Sequence, residues 1–274
     1  MEVLREQHRK ALRGLLESDL DANLYLLQLL QSHPIHQSRL VEWTGAFENG
    51  ELIAATCALG RTKDRAPASL IMVHGRADGA SFLGRFSMMR GSTQMLLGER
   101  QSTDAYWKRM NEPKARLFYD QRIYTCTQPS EGPSLPITQA TEAHFSMLHQ
   151  YAAEMMLEDL KIDPRADEHQ HERTINNRIQ QGKTWVHTVD SQVRFMIDVG
   201  MESPKGAQVG GTYVPPEYRG QGLASSGMRA ICSELLKRVE RVTLHVNEAN
   251  KAAIRCYERA GFVRQTPYRL IALS

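Results

Sequence analysis

Hydrophobic positions along the chain recur with two different periods, and the switches between them outline its elements. Leu12, Leu15, Leu16, Leu20, Leu24, Leu27 and Leu30 fall three and four apart, the spacing of an apolar helix face, so one or two amphipathic helices are expected before Pro34. The period then shortens. Trp43–Phe47 and Leu52–Leu59 read as strands joined through Glu48-Asn49-Gly50-Glu51, since Asn-Gly supplies the left-handed residues of a tight hairpin. Ser69–Val73 reads as a third strand, the Gly-studded segment Gly75–Met110 as mostly helical, and Ala115–Thr127 as a strand.

The second half repeats this order. Helices are expected at 141–157 and 166–181, strands at 184–189, 193–200 and 207–214, and a helix from 221 to 238. A strand Val242–Val246, a helix Asn250–Ala260 and a final strand including Tyr268–Ala272 complete it. Three prolines and a glycine in Pro129–Pro136 interrupt both periods, which makes that stretch the expected linker. Similar element order on either side of it suggests two diverged copies of one fold, although no identity between the halves is visible.

Composition narrows the classes. A chain of 274 residues suits two domains. With 34 Lys+Arg against 31 Asp+Glu the balance is +3, all of it arising within the first 130 residues. That is too little for a phosphate-neutralising surface, so nucleic acid is not the expected partner. Apolar residues at 41% and charged residues at 24% exclude a disordered or collagen-like chain. Cys57, Cys126, Cys232 and Cys256 are widely spaced with no C-x-x-C pair, which indicates neither a metal site nor a disulfide framework. The first ten residues are charged throughout, and no apolar run approaches the ~20 residues that span a bilayer, so a cytoplasmic protein away from membranes is expected.

The chemistry concentrates at Val214-Pro215-Pro216-Glu217-Tyr218-Arg219-Gly220-Gln221-Gly222-Leu223-Ala224, where a strand end runs through a glycine-bearing loop into a helix. Such a junction receives anions: glycines admit a close-lying phosphate, and the first N–H groups of the helix and its dipole point at it. Met228, Ile231 and Leu235 share one side of that helix and would pack it on a sheet. A second stretch, Val242 to Phe262, holds Asn247, Asn250, Ala253, Tyr257, Glu258 and Gly261.

Together the two stretches resemble the GNAT superfamily of acyl-CoA-dependent N-acyltransferases. Arg219-x-x-Gly222-x-Ala224 is similar to the family's pyrophosphate loop, and Asn247…Asn250…Ala253…Tyr257-Glu258…Gly261-Phe262 to its C-terminal motif. The resemblance covers roughly 135–274 and implies an α/β fold of α+β type: two GNAT-like domains, each a mixed, splayed central sheet flanked by helices. Residues 1–130 would be a degenerate copy and 135–274 the catalytic one. In the first half, Arg76-Ala77-Asp78-Gly79-Ala80-Ser81 only approximates the phosphate loop, and no counterpart of the C-terminal motif follows it.

The resemblance further implies acetyl-CoA as cosubstrate, no metal, and direct attack of an amine on the thioester. Its pantetheine arm would run along strand 207–214, and its pyrophosphate would rest on Arg219, Gly220, Gln221, Gly222, Leu223 and Ala224. Asn247 and Asn250 belong to the same motif; Asn250 would help hold the cofactor, serve as a helix N-cap, or both. Tyr257 matches the family's tyrosine beside the sulfur and would protonate the departing thiolate, against the alternative of an aromatic packing on the sheet. A main-chain N–H near Tyr213 or Val214 would polarise the carbonyl. Asp198, His245 or a water chain would serve as the general base. Glu154, Glu158, Asp159, Asp163, Asp167 and Glu168 cluster where the family lines its acceptor side, so Glu158 and Asp159 are expected to meet a cationic amine unless they form a solvated helix face. Two other functions compete: a tandem-GNAT transferase using aminoacyl-tRNA, and a non-catalytic acyl-CoA-binding regulatory module.

Overall fold

In the computed structural model, which describes residues 1–35, 41–60, 69–87 and 93–274, the leucine stripe resolves into two helices. The elements of the first half are β1 (Glu2–Val3), α1 (Arg9–Glu17), α2 (Leu20–Ser32), β2 (Val41–Glu48), β3 (Glu51–Leu59), β4 (Leu70–Gly75), α3 (Ala77–Ser87), β5 (Met95–Glu99), α4 (Arg100–Arg109) and β6 (Ala115–Cys126). There follow β7 (Thr138–Gln139), α5 (Phe145–Leu160), α6 (Glu168–Gln180), β8 (Thr184–Val189), β9 (Gln192–Ser203), β10 (Gly206–Tyr213), α7 (Leu223–Leu235), β11 (Val242–Asn247), α8 (Lys251–Ala260) and β12 (Val263–Leu273). Among the described residues no helix is long and apolar enough to cross a membrane.

The chain divides into two compact units, one of residues 1–123, 245–249 and 264–274, the other of 124–244 and 250–263. In the first, β1-β2-β3-β4 is an antiparallel run, β5 joins β4 in parallel, and β12 joins β5 antiparallel with Tyr268 opposite Glu99. The hairpin turns at Asn49 and Gly50, both at positive φ, as the sequence implies. One strand departs from expectation. Met95–Glu99 lies in the segment read as helical, but Leu96 and Gly98 are buried between β4 and β12, and ladder pairing on both edges overrides the local pattern. Residues 88–92 of that segment lie outside the described residues. The C-terminal strand also leaves the half in which its sequence position puts it, because Tyr268 packs with Ala22 and Ile123 in the first unit's interior.

The second unit repeats the scheme: β7-β8-β9-β10 runs antiparallel, and β11 joins β10 in parallel after the crossing helix α7. Each unit thus has two helices, an antiparallel run, a crossing helix and a parallel strand, the duplicated order read from the sequence. Leu148, Tyr151, Ala152, Ile175 and Ile179 of α5 and α6 pack on Val186, Val193, Met196 and Tyr213. On α7, Met228, Ile231 and Leu235 are fully buried, as their spacing implies. The proline-rich stretch, expected as the linker, falls within the second unit: Arg229 Nε donates to the Pro133 carbonyl at 2.7 Å, and the Ser130 amide donates to the Ala260 carbonyl at 3.1 Å.

Candidate functional site

The second unit opens where its parallel strands part. Pairing of β10 with β11 is confined to Ala207–Val242 and Gln208–Thr243. On its other edge β10 loses register with β9 between Gly210 and Tyr213. Gly211 stands in this bulge at φ 62°, and a Cβ there would come within 2.7 Å of an Asp198 carboxylate oxygen, so a side chain is excluded by conformation and by space. The end of β10 therefore presents main-chain groups that the sheet does not use.

A cleft of about 470 Å³ runs along this strand end, lined by Thr212, Tyr213, Val214, the loop into α7, the first turn of α7, one face of α8 along its length, and the last turns of α5. Arg219, Gly220, Gly222, Leu223 and Ala224 all line it, joined by Ser225. Gly222 is the N-cap of α7 at φ 78°, no side chain caps the helix, and a Cβ there would meet nothing within 4 Å. The first amides of α7 thus lack a side-chain partner, and the dipole adds partial positive charge at the same point. Gln221 is exposed and outside the cleft lining.

On the facing helix, Asn250 caps α8 by accepting the Ala253 amide at 3.0 Å and also lines the cleft, so the capping role stands and cofactor contact is compatible with it. Asn247 instead accepts the Ala249 amide at 2.9 Å and does not line the cleft. Tyr257 projects from α8 into it. Burial pushes its phenol well above the ordinary value; the Cys256 and Asp159 charges push the same way, and a hydrogen bond with Thr212 opposes them. Cys256, also in the lining, has its thiol pushed up to about 11 by burial and is not an activated nucleophile.

The α5 wall carries Met155, Glu158 and Asp159. Asp159 is raised above the usual carboxylate range by desolvation and by Glu158, with Lys161 and Arg219 opposing. Glu158 accepts from Arg219 Nη2 at 3.0 Å on both oxygens. Tyr213 is buried, with its hydroxyl donating to Glu154 at 2.8 Å and its ring beneath the Arg219 guanidinium. Burial and that carboxylate push the Tyr213 phenol up.

Two candidate bases fall elsewhere. Asp198 does not line this cleft; it belongs to a separate hollow, where Arg178 Nη1 donates to it at 2.7 Å and Thr184 Oγ1 at 2.5 Å. Burial raises its carboxyl despite both partners. The bulge at Gly211 explains the discrepancy, since β10 stands between Asp198 and the splayed edge. His245 lies in the first unit, its ring 4.5 Å from that of Tyr268, and burial lowers its pKa to about 4. Missed in the sequence were Thr212, as partner of Tyr257, and Glu154, as partner of Tyr213. Nothing in their spacing signals either pairing.

The near-match loop of the first unit is closed by its own side chains. Arg76 pairs with Glu48 at 2.6 Å and with Asp78 at 2.5 Å, while Asp78 takes the Gly79 amide at 2.8 Å. A carboxylate already occupies the place of an anion at the start of α3.

Residues 152–262 match the model of the acetyltransferase (GNAT) family. No curated protein matches the chain. Among solved structures, a GNAT-family acetyltransferase from Colwellia psychrerythraea aligns over 100% of this chain and 99% of its own, at 10% identity and TM-score 0.60. A GCN5-related N-acetyltransferase from Sphaerobacter thermophilus aligns over 98% and 93%, at 16% identity and TM-score 0.64. A tandem GNAT protein from the clavulanic acid biosynthesis pathway aligns over 98% and 96%, at 12% identity and TM-score 0.54. At these identities the likeness is one of fold, and it extends over the whole chain.

Proposed function

We propose, for a chain whose residues 152–262 match the acetyltransferase (GNAT) family model, that the protein transfers an acetyl group from acetyl-CoA to a primary amine. One observation carries the reading: the uncapped N-terminus of α7, the unpaired end of β10 and the phenol of Tyr257 line a single cleft.

The residues present suit such a donor. The amides of Leu223, Ala224 and Ser225, with Arg219, would hold the diphosphate, and glycines at 220 and 222 leave open space above the loop. The main-chain groups of Gly211 and Thr212, which lie outside the ladders with both neighbouring strands, would pair with the amide-bearing arm as a short extra strand would. When bound, acetyl-CoA supplies an activated acyl carbon and a thiol leaving group.

Each chain residue then has a chemical task. A main-chain N–H of the bulge, near Tyr213 or Val214, polarises the acyl oxygen at no reorganisation cost. Tyr257 keeps its proton throughout the neutral range, because its phenol is raised, and so holds it ready for the departing sulfur. Asp159, a carboxylate of raised pKa on the acceptor wall, is suited to take the proton that an ammonium must lose before attack. No base role is assigned to Asp198, which is bound to Arg178 and Thr184.

The test is isothermal titration with acetyl-CoA and with coenzyme A, followed by thiol release across a panel of primary amines. Micromolar binding with amine-dependent thiol release is expected. Absence of binding at high micromolar ligand would refute the reading.

A further inference from the structure

The cleft is bridged at one point by the protein's own charges, from the two walls that a donor and an acceptor would each use. Arg219, in the loop before α7, meets both carboxylate oxygens of Glu158 at 3.0 Å and donates from Nε to the Val214 carbonyl at 2.9 Å. Its guanidinium lies 5.3 Å from the Tyr213 ring centroid. Glu158 stands in the last turn of α5, and Lys161 turns to its main-chain carbonyl, not to its carboxylate. The carboxylate depends on Arg219 for its bonded cation.

A carboxylate and a phosphate offer the same thing to a guanidinium, two oxygens at the spacing of its forked N–H groups, and they compete for it. Arg219 also belongs to the loop whose glycines and free amides form the anion receptor. The geometry points to an internal gate: in the free protein Glu158 occupies Arg219 in place of a phosphate, and arrival of the donor's diphosphate releases Glu158 to bind an ammonium group. The inference rests on the acyl-CoA reading. It adds that the acceptor is a cation and that its site is completed only once the donor is in place.

Exposure suits the pair to this use. Both side chains are about half exposed, at 45% and 49%, and ion pairs of this kind are broken at small cost. A dry, buried pair would hold the diphosphate out. Once Arg219 is engaged elsewhere, the neighbouring Glu158 and Asp159 both line the cleft, and their combined charge would draw in an ammonium group.

The test uses Glu158→Gln in the full chain, where a half-exposed side chain can be changed without loss of fold. Coenzyme A is expected to bind the variant about two- to fivefold more tightly than the parent, as befits removal of a surface competitor. Pantetheine, which lacks the diphosphate, should bind both alike, and in an Arg219→Gln background the effect of Glu158→Gln should vanish. Spermidine, as a cationic probe, is expected to bind the coenzyme A-saturated protein about threefold or more tightly than the free protein, and this difference should disappear in Glu158→Gln. Unchanged coenzyme A affinity in the variant overturns the gate and leaves the donor site standing. Spermidine that binds neither form, or both equally, does the same. Failure of the parent protein to bind coenzyme A removes the acyl-CoA reading itself, and the gate with it.

Discussion

Asp198 and Arg178 form an ion pair in which the aspartate side chain is only 11% exposed, Nη1 to Oδ2 at 2.7 Å, while the other carboxylate oxygen receives the Thr184 hydroxyl. Both acceptor atoms are in use for structure. Asp198→Ala should cost about 1–3 kcal/mol, because Thr184 loses its partner in the interior, and Asp198→Asn should cost less, since it still accepts from Thr184. Denaturant unfolding measures the loss, and kcat on the best amine should stay within about twofold. A hundredfold fall in kcat with stability intact would restore Asp198 to the chemistry.

Tyr257→Phe removes a proton donor and little else from the cleft. A fall in kcat of about 10²-fold is expected, with coenzyme A affinity held within about twofold. Because the phenol is raised, its loss of a proton comes above the ordinary tyrosine range, so the parent's rate should hold through neutral pH and fall only at the alkaline end. An undiminished rate would leave Tyr257 as a packing residue.

Gly222→Ala tests the anion receptor. At φ 78° an alanine is strained by roughly 1 kcal/mol, yet there is open space for its methyl group. If the loop holds a diphosphate at close range, coenzyme A should weaken by about tenfold or more while pantetheine is unaffected, a loss near 1.4 kcal/mol specific to the phosphates. Equal loss for both ligands would point to general distortion of the cleft.

His245 gives the fold an acid sensitivity. Its pKa is lowered from 6.5 to about 4 by burial, so the unfolded chain takes up a proton at a pH where the folded one does not. Stability associated with this group is full above about pH 6.5 and is lost progressively as the pH falls towards 4. The loss is on the order of 2 kcal/mol, from about 1.4 kcal/mol per pKa unit, reduced because His245 is only half-buried from solvent. Unfolding free energies at pH 7 and pH 5 should differ less in His245→Phe than in the parent. An identical difference would place the sensitivity elsewhere.

The turn and the cap of the candidate site were legible because their signals are local. The loop from Arg219 to Ala224 and the cap at Asn250 depend on backbone conformation over a few residues, and Gly and Asn at those positions announce it. Spacing likewise turned Met228, Ile231 and Leu235 inward. Asp198 and Asn247 lie outside the cleft lining, because a place on a strand or in a motif does not say what stands in front of a side chain. A two-residue bulge separates Asp198 from the splayed edge, and Asn247 spends its carbonyl on its own turn.

By itself the sequence determined the element order, its duplication and the anion-receiving turn, since periodicity, glycine and capping chemistry act within about ten residues. Tertiary structure alone decided that Met95–Glu99 becomes a strand, that the C-terminal strand completes the first unit, and that Arg219 meets Glu158 across sixty-one positions of chain. Those outcomes depend on hydrogen-bonding edges and charges brought together by packing, and no local pattern records which distant partner an edge or a charge will find.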